Sequence, residues 1–190
     1  MTNSRELIKK IISGDTHAFK SLIHDYQRLV CHVIFKMVTN EQDREDVCQD
    51  VFIKVYQNLS KFQFDSKLST WIAKIAFNTG INYLKKKKVP LFDDVSGENG
   101  ALEKYWSEQT SPDGFVQEQD LTFRLQNEIT KLPVQFKTIL TLYHLEEMSY
   151  AEIAKITGLP DGTVKSYLFR ARKLLKEKLI AKYQQEELWN

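Results

Sequence analysis

Along residues 1–88, apolar side chains return every three or four positions, the period of a helix with one buried face. Phe19, Leu22, Ile23, Tyr26, Leu29, Val30, Val33 and Met37 follow this period through one long stretch. Val47, Val51, Phe52, Val55 and Leu59 follow it within Asn40–Leu59, and Trp71, Ile72, Ile75, Ala76 and Leu84 within Ser69–Lys88. With a shorter segment ahead of them, these predict three or four helices closing on a shared core. Leu121–Leu132 and Pro133–Leu145 predict two more, with Pro133 in the first turn, where its missing N–H costs no helical hydrogen bond. No stretch alternates apolar and polar residues, so no sheet is expected. Gly80 stands inside the Ser69–Lys88 helix at a cost of up to about 1 kcal/mol relative to Ala, for which the pattern supplies no reason.

The segment Ser149–Leu175 is the most specific. Ser149 and Glu152 have the spacing at which a hydroxyl and a carboxylate cap each other's backbone amides at a helix start. Ile153 and Ile156 share a face, with Ala151 and Ala154 small enough for close approach. Gly158 offers the left-handed residue that ends a helix, and Pro160 blocks continuation. Asp161 is expected to cap a second helix, buried through Val164, Leu168, Ala171 and Leu175. Its other face carries Lys165, Ser166, Phe169, Arg170, Arg172, Lys173 and Lys176. A short helix, a Gly-containing turn and a basic second helix predict a helix-turn-helix with that second helix in a DNA major groove.

Charge divides the chain. The net charge of +2 conceals +6 in residues 1–88, −7 in 89–120 and +3 in 121–190. The middle stretch also holds Gly97, Gly100, Pro112 and Gly114 without a sustained period, and reads as a flexible acidic linker, with a helical turn near Leu102–Trp106. The expected fold is all-α: two small helical bundles, 1–88 and 121–182, joined by the linker 89–120 and followed by a tail, 183–190. Two basic bodies on an acidic strap suit two contacts with a polyanion. No apolar run reaches the length of a membrane span, so no membrane insertion is expected. The N-terminal apolar run is too short for a signal peptide, which predicts a cytoplasmic protein. Cys31, Cys48 and four scattered histidines build neither a disulfide framework nor a zinc cluster, and no metal or cofactor is expected.

Three clusters carry candidate chemistry. Lys85–Lys88 suit salt-dependent phosphate contact, though such a run also serves as a solvated helix end. Phe62 and Phe64, between Lys61 and Lys67, either cover the bundle core or form a platform on which an unpaired base stacks. Asp43, Glu45, Asp46 and Asp50 lie on one helix, Asp46 and Asp50 a turn apart with Gln49 beside them. Paired carboxylates can serve metal or acid–base catalysis. Lacking a histidine or a second acidic helix, these fit an acidic face for a protein partner better.

Together these segments resemble the extracytoplasmic-function (ECF) group of bacterial RNA polymerase sigma factors. Asp43–Tyr56 (DREDVCQDVFIKVY) is similar to the family's second conserved segment, and Leu68–Asn78 (LSTWIAKIAFN) to the start of its promoter-reading helix. Leu132-Pro133, Tyr150–Ala154 and Gly162–Ser166 are similar to its C-terminal domain. The resemblance implies a non-catalytic initiation factor whose partners are core RNA polymerase, promoter DNA and an anti-sigma factor. Asp46, Gln49 and Asp50 would dock on the clamp helices of the polymerase large subunit. Phe62, Phe64, Lys67, Ser69, Asn78 and Lys85 would hold the start-proximal promoter element and a flipped base. Thr163, Lys165, Ser166, Phe169, Arg170, Arg172 and Lys173 would read the upstream element. Two such elements lie roughly 50 Å apart on the duplex. A flexible linker of this length typically spans about 30 Å and reaches at most about 100 Å, so polymerase would have to stretch it. The competing readings are a helix-turn-helix regulator with a ligand-sensing or dimerising bundle, and a hydrolase using the Asp43–Asp50 carboxylates. The acidic helix and aromatic loop favour the initiation factor, since a dimerising bundle needs neither.

Overall fold

The computed structural model describes residues 2–88 and 121–182. The linker, its expected turn near Leu102–Trp106 and the tail lie outside the described residues. Within them the chain forms α1 (Thr2–Ile12), α2 (Thr16–Met37), α3 (Glu41–Asn58), a 3-10 turn (Leu59–Lys61) and α4 (Leu68–Lys86). After the linker come α5 (Leu121–Thr130), α6 (Val134–His144), α7 (Tyr150–Thr157) and α8 (Asp161–Lys182). No strand occurs among the described residues.

Local chemistry sets the helix boundaries. The Asp15 carboxylate accepts from the amides of His17 and Ala18 at 2.9 and 3.0 Å, starting α2. Those amide bonds hold its pKa below the usual carboxylate value. Asn40 caps α3 through the Asp43 amide. Pro133 occupies the cap position of α6, one residue before the first turn in which it was expected. Asp161, expected as the cap of α8, lies instead inside its first turn. The Thr163 and Val164 amides bond to the Pro160 carbonyl and close the first turn.

The expected apolar seams are the observed ones. Leu22, Val30, Val33 and Ile34 of α2 meet Val51 and Val55 of α3 and Ile72, Ala73 and Ala76 of α4, all with no exposed surface. Each of the buried Leu, Val and Ile side chains contributes about 1.5–3 kcal/mol by leaving water. Gly80 has its explanation here. A Cβ at that position would stand 2.6 Å from Met37 Sδ and 2.9 Å from Met37 Cε. Met37 is 1% exposed, so α2 and α4 cross closely at a point where only hydrogen fits without displacing it.

The second bundle packs Phe136, Ile139 and Leu142 of α6 against Ile153 and Ile156 of α7 and Val164, Leu168 and Ala171 of α8. The two bundles are not separate bodies. α2 lies against α6 and α4 against α7, so their buried residues form one contiguous core.

Candidate nucleic-acid and partner interfaces

The α3 face divides in two. Val47, Val51 and Val55 point inward, while Asp46, Gln49 and Asp50 stand exposed together on the opposite side. Asp43, grouped with them by sequence, is occupied internally. It accepts from the Tyr83 hydroxyl at 2.6 Å and pairs with Lys87 at 3.3 Å, tying the start of α3 to the end of α4. The Tyr83 hydrogen bond is the largest cause of its lowered pKa, and the same bond pushes the Tyr83 phenol up to about 12.

The aromatic loop separates its two rings. Phe62 is 8% exposed and belongs to the core, its ring 5.2 Å from that of Trp71. Of the two roles open to Phe62, the ring therefore takes that of covering the core, and it supports Phe64 from beneath. Phe64 is 39% exposed, rests 4.7 Å from the Phe62 ring and lies under the Arg5 guanidinium at 4.9 Å. Its backbone is held at φ 62°, a left-handed conformation that a bulky residue adopts at a cost of about 1–3 kcal/mol. Arg5 was not legible as a partner, because nothing in the spacing of α1 points to the loop.

The remaining residues of this surface border the second bundle. Lys67 stands at the cap position of α4 and pairs with Glu152 Oε1 of α7 at 2.9 Å. Ser69 sits half-buried in the first turn of α4, and the Thr70 hydroxyl reaches the same Glu152 oxygen. Asn78 and Lys85 are exposed on α4 at the rim of a cavity of about 200 Å³. Phe77 and Ile81 line it from α4, Gln135 and Ile139 from α6, and Thr157 and Leu159 from the end of α7. His32 of α2 also bonds to Glu146, just beyond α6.

In the second bundle the expected capping box is present. Ser149 Oγ accepts from the Glu152 amide, and the Glu152 carboxylate accepts from the Ser149 amide at 2.9 Å. Gly158 takes φ 76° and ends α7. Glu152 is held down to about 2, chiefly by the Ser149 amide and further by Lys67. The outer face of α8 presents Lys165, Phe169, Arg170, Arg172 and Lys173 to solvent, with Phe169 69% exposed. Thr163 and Ser166 are half-buried, Ser166 Oγ donating to the Thr163 carbonyl at 2.9 Å. Arg172 is positioned by His144 Nε2 at 3.1 Å and by the Tyr143 ring at 5.1 Å, and Lys165 lies over Tyr150 at 5.5 Å. Tyr143 and Tyr150 stack at 5.2 Å. This aromatic pair holds the cations and was missed by sequence reasoning, since its members come from different helices. Lys173 pairs only loosely with Glu177, at 3.8 Å.

No helix among the described residues is long and apolar enough to cross a membrane. Residues 22–89 match the sigma-70 region 2 model and residues 122–175 the sigma-70 region 4 model. The chain is 31% identical over 179 residues to the ECF RNA polymerase sigma factor SigW of Bacillus subtilis, covering 92% of this chain and 96% of that one. It is 34% identical over 177 residues to the ECF RNA polymerase sigma-E factor of Escherichia coli K12, covering 91% and 92%. Among solved structures, that of CnrH with the cytosolic domain of CnrY has a TM-score of 0.64 at 22% identity, over 94% of this chain and 97% of that one. The sigma factor RpoE of Bartonella quintana, solved with the anti-sigma factor NepR, has a TM-score of 0.63 at 19% identity, over 86% and 98%. The all-helical fold is thus shared with these neighbours. On the sequence relationships and both region models, the chain belongs to the ECF RNA polymerase sigma factors, which serve transcription initiation.

Proposed function

We propose that the protein binds core RNA polymerase through α3, recognises two promoter elements through α4 and α8, and helps open the DNA between them. The observation that carries this reading is the exposed cluster Asp46, Gln49 and Asp50 on the outer side of α3. Among the described residues no side-chain hydrogen bond or ion pair engages any of the three, so the charge of Asp46 and Asp50 is available to a basic helical surface. The clamp helices of the polymerase large subunit would supply that surface. Opposite charge there speeds encounter and sets register more than it adds affinity.

On DNA, Phe169, Arg170 and Lys165 would face bases of the upstream element, with Arg172 and Lys173 on phosphates. Thr163 and Ser166, half-buried at the start of α8, would order the backbone approach rather than reach deeply. Phe64, supported from beneath by Phe62, would stack on one unpaired base of the start-proximal element. Lys67, Ser69, Asn78 and Lys85 would hold the adjoining strand. This assignment has a conformational consequence. Lys67 is engaged by Glu152, and Asn78 and Lys85 border the second bundle, so α4 and α7 must part before the start-proximal element can be held. An anti-sigma factor would act by favouring the packed arrangement, and polymerase by favouring the parted one, in proportion to each partner's differential affinity.

The test is run-off transcription with purified core polymerase on fragments of the source genome. The proposal requires discrete transcripts that depend on this protein, with two separated protected elements upstream of each start. Sequence-specific binding by the protein without any polymerase-dependent transcript would favour an ordinary helix-turn-helix regulator.

A further inference from the structure

The first helix supplies a cation to the aromatic loop. Ile8 and Ile11 are buried and fix α1 against α2 and against the 3-10 turn that leads into the loop. Arg5, three residues before Ile8, is exposed and reaches over the Phe64 ring, its guanidinium carbon 4.9 Å from the ring centre. On the other side the Phe62 ring lies 4.7 Å from Phe64, tilted by 53°, and Phe62 itself rests on Trp71. The left-handed backbone at φ 62° fixes the position from which the Phe64 ring is presented. Phe64 is thus held between a buried ring and a solvent-facing cation.

That cation is engaged by the ring alone. A guanidinium carries five N–H donors and no acceptor. Among the described residues no hydrogen bond or ion pair engages Arg5, not even with Glu6 beside it or with Asp65 next to Phe64. Its donors therefore remain for an acceptor from outside the chain. A cation–π contact at an exposed site is weak, so a nucleobase can take the ring face from it. The displaced guanidinium stays beside the strand that carries the base, where phosphate oxygens match its parallel N–H groups.

We propose that Arg5 and Phe64 form a two-part clamp on single-stranded DNA, in which an unpaired base takes the ring face from Arg5 and the guanidinium moves to the phosphate next to that base. The clamp rests on the stacking role proposed for Phe64 and brings α1 into the single-strand surface, a helix to which its sequence gave no part in DNA contact. Arg5 reads no base edge, so it adds affinity for any sequence, and Phe64 needs only a π-face. In the absence of a strand the same guanidinium covers the exposed ring.

The test uses holoenzyme reconstituted from core polymerase and the full chain. The probe is a short single strand with the non-template sequence of a start-proximal element located by run-off transcription. Affinity is read by fluorescence anisotropy over a range of salt concentrations. Arg5→Ala should weaken binding about tenfold and make the salt dependence shallower by about 0.7, the slope for one phosphate on a single strand. The loss should be equal for strands that differ at any single base. Arg5→Lys keeps the charge without the planar fork, so it should keep the salt slope and lose only part of the affinity. Phe64→Gly should weaken binding with the salt slope unchanged. Binding of an upstream-element duplex should be the same in all three variants. If Phe64→Gly weakens binding while Arg5→Ala binds as tightly as the unaltered protein, or more tightly, the clamp is overturned and the stacking role stands. Normal binding by Phe64→Gly would overturn the stacking role and the clamp with it. A loss in Arg5→Ala confined to strands with one particular base would make Arg5 a base reader and overturn the phosphate contact.

Discussion

Glu152 does two things at once, and replacing it with Gln separates them. Its carboxylate closes the capping box of α7 with Ser149, and it receives Lys67 and Thr70 from the first bundle. A Gln side chain still accepts from the Ser149 amide, because a capping box tolerates either residue. What it loses is charge. The negative charge at the start of a helix is worth about 0.3–1 kcal/mol. The pair with Lys67, whose side chain is 73% exposed, is worth about 0.2–1 kcal/mol. Glu152→Gln should therefore cost about 0.5–2 kcal/mol at pH 7. The lowered pKa reflects the same contacts and sets an upper limit. A carboxyl lowered from 4.5 to about 2 corresponds to at most about 3.4 kcal/mol, of which solvent screening removes roughly half. Because the folded pKa is the lower one, this stability is complete above about pH 4.5 and disappears as pH falls toward 2. The assay is urea unfolding of both proteins between pH 7 and pH 2.5. The difference should shrink across that range, and Lys67→Met should reproduce part of it at pH 7 in low salt only. A difference that stays constant with pH, or a neutral substitution at pH 7, would refute the reasoning.

Other substitutions have equally definite outcomes. Gly80→Ala should destabilise in urea unfolding, because overpacking against Met37 costs about 1–3 kcal/mol and exceeds the helical gain of up to about 1 kcal/mol. In a Met37→Ala background the sign should reverse, the same substitution then stabilising the protein. Arg170→Ala should cost about 1–3 kcal/mol at one base pair of the upstream element and relax specificity there, measured by binding to single-base variants. Equal weakening on every duplex would make Arg170 a phosphate contact. Phe64→Gly relieves the left-handed strain, so stability should change by no more than about 1 kcal/mol. Open-complex formation should nonetheless slow, through loss of about 1–3 kcal/mol of base stacking, while upstream-element binding is unchanged. Opening at the normal rate would move base capture to another residue of the loop.

Helices and caps were legible because their determinants are close together along the chain. The capping box of Ser149 with Glu152, the left-handed Gly158 and the buried seam of Val164, Leu168 and Ala171 all depend on local geometry. The basic outer face of α8 followed from the same period. What depended on distant neighbours was hidden. Phe62 and Phe64 are indistinguishable in composition, and only the position of Trp71 and Arg5 makes one a core residue and the other an exposed ring. Gly80 is explained only by Met37, which lies against it from another helix. The second role of Glu152 needed Lys67, from the other bundle. Asp161 misled because a good capping residue stood one place inside the helix that Pro160 begins. The packing of the bundles on each other has no local signature, since its partners, such as Lys67 with Glu152 and His32 with Glu146, lie far apart along the chain.

The acidic face of α3 is proposed to join this protein to core polymerase. The most direct measurement is size-exclusion chromatography of the protein with core enzyme, beside the Asp46→Lys, Asp50→Lys double variant. Both residues are exposed and outside the apolar seam, so the variant should keep its helical circular dichroism and thermal midpoint. The unaltered protein should co-elute with core enzyme, and the double variant should elute alone. A folded double variant that still co-elutes, or an unaltered protein that never does, would contradict it.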